Sequence, residues 1–384
     1  MKKLCSNKIF KTALFMAFMI TVFALNKDYA KAAAGEVVDY TTKQTVTEMT
    51  PYQITTGDEA DLSKYGAYDI FVPTTTGELV VPIRIPSKGL LYSLYGDSNN
   101  STSTFYVDFY SDAACTSEVS YSSYTGFAEF PKEGIYYIKF KTYSSIPVTG
   151  DSAYIGFDCQ FFDGSNTELK NKTWQCSGLI DSTTPIYYKV EVNKTGFIKV
   201  DFLSEYSTYV TLCSSSKKEI SDECYISSSK PDAAFAVKKG TYYLKVKSNS
   251  DLIRVRSSAT AVTDASGSSK SKAKALKIGS AKKGLLLPGD KTSKNDWFKF
   301  TLTKSTKLNL IVSGNVSSGK IRYELTSANI GGSITGYLYQ TDDSDTTSLK
   351  TWTTESLPRG TYYIRVYKDD SKTSGNYSIK VAKR

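Results

Sequence analysis

The chain contains no histidine. Ser–His–Asp and Cys–His nucleophile systems and histidine-ligated zinc are therefore closed to it. A pair of carboxylates, one acting as acid and the other as base or nucleophile, would still suffice for glycoside hydrolysis. The candidates are Asp58, Glu59, Asp61, Asp69 and Glu78. Oxygen-rich stretches also set the only metal chemistry in view. Asp58, Glu59 and Asp61, and again Asp342, Asp343 and Asp345, can offer carboxylates to calcium, although neither group has EF-hand spacing. Recognition is the third option. Tyrosine rings stack on flat sugar faces, and neighbouring cations attract anionic groups. Tyr137, Tyr243, Tyr363, Arg365 and Tyr367 are the candidates for such a ligand-binding surface. Tyrosine on an outer sheet face also serves plain β-propensity and cross-strand pairing.

These tyrosines belong to one stretch that occurs three times: PKEGIYYIKFK from Pro131, KKGTYYLKVKS from Lys238 and PRGTYYIRVYK from Pro358. Each copy reads as a glycine turn followed by a strand. The residues alternate, as a strand with one buried face requires. Tyr136, Tyr242 and Tyr362 head the apolar side; Tyr137, Tyr243 and Tyr363 head the polar side. Glycines 134, 240 and 360 are spaced as β-sandwiches of about 100 residues would space them, too widely for a solenoid repeat. Aromatic residues are 13% of the chain and most of them are tyrosine, which favours strands over helices.

The first 34 residues read as a secretory signal peptide. Lys2, Lys3, Lys8 and Lys11 precede an apolar run from Thr12 to Leu25 that is short for a membrane span, and small-residue cleavage sites follow at 30–34. No stable membrane insertion is expected once it is removed. The expected location is extracellular, with association with the cell wall as a variant. Charge is unevenly spread. Residues 35–159 carry 7 basic and 16 acidic groups, whereas residues 268–384 carry 21 and 9, a net +12. The basic end should attract polyanions. No nucleic-acid-binding motif accompanies it, so nucleic acid is not an expected partner. Removing the leader leaves five cysteines: Cys115, Cys159, Cys176, Cys213 and Cys224. Cys213 and Cys224 flank a polar turn and are the candidate disulfide across a hairpin.

The resulting expectation is an all-β chain: a tandem array of three antiparallel, jelly-roll-like β-sandwich domains after a signal peptide. Its boundaries are 1–34 for the leader, 35–160 for an acidic first sandwich and 161–262 for the second. A Ser/Ala/Lys linker spans 263–274, and a basic third sandwich spans 275–384. The third resembles a bacterial pre-peptidase C-terminal (PPC) domain. The resemblance rests on Gly289-Asp290, on Asp296-Trp297-Phe298 with Phe300, on Gly360 to Val366, and on Gly375, Tyr377, Ile379 and Val381. The first two units keep the Gly-Tyr-Tyr strand and lack the Asp-Trp pair; Tyr187-Tyr188 stands in its place in the second. The resemblance implies a compact antiparallel sandwich of the kind appended to exported peptidases. It also implies collagen or carbohydrate binding in some members, with calcium at an inter-domain linker. The functional expectation is a secreted, non-catalytic protein that binds an extracellular or wall polymer: polysaccharide, teichoic acid or matrix protein. A spacer or matrix protein without a specific ligand is the alternative, and a carboxylate-based glycoside hydrolase the second alternative.

Overall fold

The computed structural model describes residues 33–54, 66–96, 105–122, 126–142, 152–176, 184–204, 207–227, 231–249, 253–339 and 347–384. Nearly all of the leader, Asp58, Glu59 and Asp61, and Asp342, Asp343 and Asp345 lie outside them. Among the described residues every regular element is a strand, and no helix is long and apolar enough to cross a membrane. Six sheets form, their strands almost all antiparallel.

The sheets fall into three pairs with one repeated topology. One sheet of each pair has the Gly-Tyr-Tyr strand at its centre. The orders are Glu78–Ile85, Gly134–Thr142, Phe105–Tyr110, then Ile186–Val192, Gly240–Ser248, Thr208–Cys213, and then Asp296–Leu302, Gly360–Lys368, Lys320–Thr326. The opposing sheets repeat a second order. It reads Gly66–Pro73, Ser152–Asp163, Gly89–Gly96, Phe127–Phe130 in the first pair and Trp174–Cys176, Ile253–Ala261, Gly196–Ser204, Asp232–Val237 in the second. In the third it reads Ala281–Leu286, Ser374–Lys383, Leu308–Ser318, Thr347–Thr353. Each pair encloses its own apolar cluster, built from the inward half of each alternation.

The register explains why the tyrosine pair recurs. Tyr136, Tyr242 and Tyr362 each donate a hydroxyl hydrogen bond to the backbone carbonyl four residues upstream, that of Lys132, Lys238 and Pro358 respectively. The ring thus covers the core's end while its hydroxyl ties down the turn. Tyr136 and Tyr362 are buried and Tyr242 is half-buried. Tyr362→Phe keeps the ring, stacked at 5.1 Å on Phe300, and removes only the 2.8 Å bond. Urea unfolding should show a loss of about 0.5–1.5 kcal/mol, the net worth of one hydrogen bond. A loss no larger than the fitting error would mean that the tyrosine recurs for its ring alone.

Contacts group the chain into two compact units, not three. One comprises residues up to Ser165 together with 176–179, and the other comprises 166–175 together with 180–384. The second and third sheet pairs form one body because an edge strand of one is capped by the other. Asp232–Val237 is an edge of its sheet, yet all six residues are buried. Its outward backbone N–H groups at Ala234 and Ala236 donate to the hydroxyls of Ser317 (2.7 Å) and Ser374 (2.8 Å). Asp222 N–H donates to Ser318 Oγ, and the Cys224 thiol donates to the Ser317 carbonyl at 2.6 Å. Ala236 packs in a small apolar cluster with Leu285 and Leu287. Hydroxyls satisfy the edge without continuing the sheet, which is how an edge is kept from pairing further.

Two expectations are corrected here. The 263–274 segment is not a flexible linker but part of the third sheet pair's first layer. Gly267 and Trp297 exchange two backbone hydrogen bonds, Lys274–Ala275 runs parallel beside Phe298–Lys299, and Ala273 is buried. Its small residues are what allow this close approach: a Cβ at Gly267 would strike the Lys272 carbonyl. Cys213 and Cys224 do not form a disulfide with each other; both are buried. Cys224 pairs with Val210, three residues before Cys213. That odd offset also puts the two side chains on opposite faces, with Cys224 in the core beside Val210 and Leu212.

Candidate functional site

The predicted ligand residues lie on the outer faces of the three Gly-Tyr-Tyr sheets. Tyr137 belongs to the first compact unit, opposite Pro82 and Tyr110. Its neighbours Lys139 and Lys141 are paired with Glu78 at 2.6 Å and Asp108 at 3.7 Å. Tyr243 lies between Lys189 and Cys213. Lys217, at φ +61° in the tight turn after Cys213, holds its ammonium 4.9 Å from the Tyr187 ring and 5.2 Å from the Tyr243 ring. Tyr187 occupies the register position of Trp297: it faces Lys245 as Trp297 faces Arg365.

Tyr363, Arg365 and Tyr367 come together on the third pair's central strand. The Arg365 guanidinium lies 4.2 Å from the Tyr367 ring centre and pairs with Glu324 at 2.9 Å. Lys270, from the segment read as linker, stands 4.9 Å from the Tyr363 ring. Arg322, opposite Tyr367, is paired with Asp369. Each predicted tyrosine of the second unit thus already has a cation near its ring, and these cations cap ring faces that a sugar would otherwise use.

The more open rings were not among the candidates. Tyr106, Tyr225 and Tyr337 are the exposed tyrosines of the described residues, at 52%, 39% and 44%. Tyr225 packs edge-on against Tyr209 at 5.6 Å, and Tyr337 lies 5.3 Å from Tyr339. The alternation in Thr208–Cys213 and Ser333–Tyr339 already turns Tyr209, Tyr337 and Tyr339 outward. That signal was present but carried no Gly-Tyr-Tyr flag.

Of the carboxylates, Asp69 and Glu78 belong to different sheets of the first pair, and Glu78 is held by Lys139. Asp69 is buried and accepts a 3.0 Å hydrogen bond from the Tyr154 hydroxyl; burial raises its pKa. Asp158, on the adjoining strand, is pushed up to about 7 by burial and by Asp69. In the third pair Asp296 is buried, accepts from the Tyr377 hydroxyl at 2.6 Å, and is raised to about 6 by burial and by Asp264. Asp290 is paired with Lys294 at 2.7 Å and Lys238 at 3.6 Å. The calcium that the PPC resemblance implies does not fit these groups: lysine ammoniums already supply positive charge beside Asp290, and a hydroxyl takes up Asp296. Among the described residues no group of three or more acidic or cysteine side chains is arranged to hold a metal ion.

No family model and no curated relative matches the chain. Over 28% of its length it is similar to the pre-peptidase C-terminal domain of collagenase from Bacillus anthracis, covering 93% of that chain at 19% identity and a TM-score of 0.21. Over 56% it is similar to the CBM22-1–CBM22-2 tandem of Xyn10C from Paenibacillus barcinonensis, covering 88% at 9% identity and a TM-score of 0.19. Over 54% it is similar to the CUB1-EGF-CUB2 region of human MASP-1/3, covering 99% at 8% identity and a TM-score of 0.19. What the protein binds has to be read from its own residues.

Proposed function

We propose that the protein is an exported, non-catalytic array of three β-sandwich modules that binds an extracellular or wall polymer. The observation that supports this reading is the recurrence of one outward tyrosine, flanked by cations, on the central strand of three equivalent sheets. A core needs only the inward half of that alternation; the outward half recurs as well. The net +12 of residues 268–384 adds long-range attraction for anionic polymers such as teichoic acid or acidic polysaccharide. One observation favours the second reading, a spacer without a specific ligand. Lys217, Lys270 and Arg365 already cover the predicted rings of the second unit, and much of the faces' charge is internally paired.

Sedimentation of the full mature chain with purified walls and insoluble polysaccharides separates the two. Replacing Tyr363, Arg365 and Tyr367 together with serine should weaken binding about tenfold, as loss of a small contact cluster does. Raising salt from about 0.05 to about 0.5 M should weaken any polyanion component further. Unchanged affinity in the triple variant, with salt still abolishing binding, would leave the strand face as structure and replace this reading with the spacer. Export itself predicts protein in the culture medium whose first residue falls near position 35.

A further inference from the structure

We propose that a cleft between the second and third sheet pairs binds a neutral, hydroxyl-rich saccharide chain, an assignment that rests on the polymer-binding reading above and narrows it. The cleft has a volume of about 380 Å³ and lies within the second compact unit. Residues 222–225 line it from the second pair, and residues 317–320 with Tyr339 and residues 369–370 line it from the third. It is a built feature of a single body. Asp222 N–H to Ser318 Oγ at 2.9 Å, Cys224 Sγ to the Ser317 carbonyl at 2.6 Å and Lys372 to Asp222 at 3.4 Å fix one wall against the other. A ligand would meet preformed walls and would not have to bring two domains together.

The ring pairs determine the chemistry. Tyr225 lines the cleft and is backed by Tyr209; Tyr339 lines it from the other pair and is backed by Tyr337. The Lys320 ammonium stands 5.6 Å from the Tyr337 ring and 5.9 Å from the Tyr339 ring, farther off than Lys270 is from Tyr363 at 4.9 Å. Tyr225 and Tyr337 are among the most exposed large side chains described, and no core accounts for them. Tyrosines on both walls suit a ligand with flat C–H faces and hydroxyl edges.

The charge balance makes that ligand neutral. Asp222, Glu223, Asp369 and Asp370 line the cleft with Lys320, while Lys372 and Arg322 pair with Asp222 and Asp369. Four carboxylates against three cations leave one negative charge, so a polyanion gains nothing here. A basic segment is poorly served too. Asp222 and Asp369 are already ion-paired, and Asp370 accepts the backbone N–H groups of Lys372 and Thr373. What such engaged carboxylates still offer is spare lone pairs for hydroxyl donors.

The test is titration calorimetry on the full mature chain with soluble fragments of cellulose, xylan and chitin, and with polygalacturonate fragments of equal length. At least one neutral series should bind with an affinity that barely changes between about 0.05 and about 0.5 M salt. Tyr225→Ala and Tyr339→Ala should each weaken it about tenfold, the scale of one lost ring contact. Both positions are on edge strands with the ring turned outward, and unchanged thermal unfolding would show that the fold is intact. Binding confined to polygalacturonate, or binding abolished by salt, overturns the neutral ligand. Neutral fragments that bind both variants as well as the parent overturn the cleft assignment and leave polymer binding standing. No binding by any series overturns the saccharide assignment, and the wall sedimentation above then decides whether polymer binding stands.

Discussion

Replacing Ala236 with aspartate should cost the second compact unit more than about 3 kcal/mol, because it puts a carboxylate into a fully buried position packed against apolar side chains. Ala236 has no accessible surface, lies against Leu285 and Leu287, and its backbone is bonded on both sides to Ser374 Oγ. The way unfolding fails is the informative part. If residues 166–384 are one cooperative body, urea unfolding of the variant should shift as a single transition that takes the third sheet pair with it. If the pairs are independent, a transition belonging to the third should stay where it was. Cys224 supplies a second measure. Its thiol touches the Ser317 carbonyl at the same seam and is 2% exposed. It should resist alkylation in the parent and react readily in the variant. Peptide mapping of the same samples should find Cys213 and Cys224 as separate thiols. Lys239→Asp, on an exposed neighbour, serves as the control and should change neither readout.

That seam is also the part of the fold least legible in the sequence. The strands were legible wherever one face is buried and the other wet, because alternation then records the environment directly. The match of Tyr187-Tyr188 with Trp297-Phe298 was visible for the same reason, and the register places both pairs against the same positions of the central strand. Ser317, Ser318 and Ser374 gave no such sign. A serine at a strand end looks like surface, and here its partner is 83, 96 or 138 residues away. The 263–274 segment misled for a related reason: small residues read as flexibility, whereas here they permit close backbone approach. The disulfide expectation failed on register, since spacing across a turn does not specify which residues end up opposite. The candidate rings were half legible. Alternation put Tyr137, Tyr243 and Tyr363 outward, but the cations over the last two, Lys217 and Lys270, come from turns that no periodicity reveals.

The second large effect is a dependence on pH centred on one buried acid. Asp296 is held protonated up to about 6, against an ordinary 3.8, first by burial and then by repulsion from Asp264. Donation from the Tyr377 and Ser266 hydroxyls and the charge of Lys294 pull it part of the way back. Between those two values the folded chain keeps a proton that the unfolded chain has released. The group's contribution is therefore fully present below about pH 4 and is lost as pH rises through about 6. The gap corresponds to roughly 3 kcal/mol. Asp296→Asn keeps an oxygen for the Tyr377 hydroxyl and removes the charge. Its stability relative to the parent should rise by about 1–3 kcal/mol between pH 4 and pH 8, read from urea midpoints at the two values. Tyr377→Phe works the other way. It strips the 2.6 Å donor from a buried carboxylate and should lose about 2–3 kcal/mol at pH 8 but less at pH 4, where the protonated acid needs that donor least. Asp69 and Asp158 are also raised, so the parent's own profile mixes several groups. The difference between parent and Asp296→Asn isolates the one acid, and a difference that stays flat from pH 4 to pH 8 would show that Asp296 is not the source.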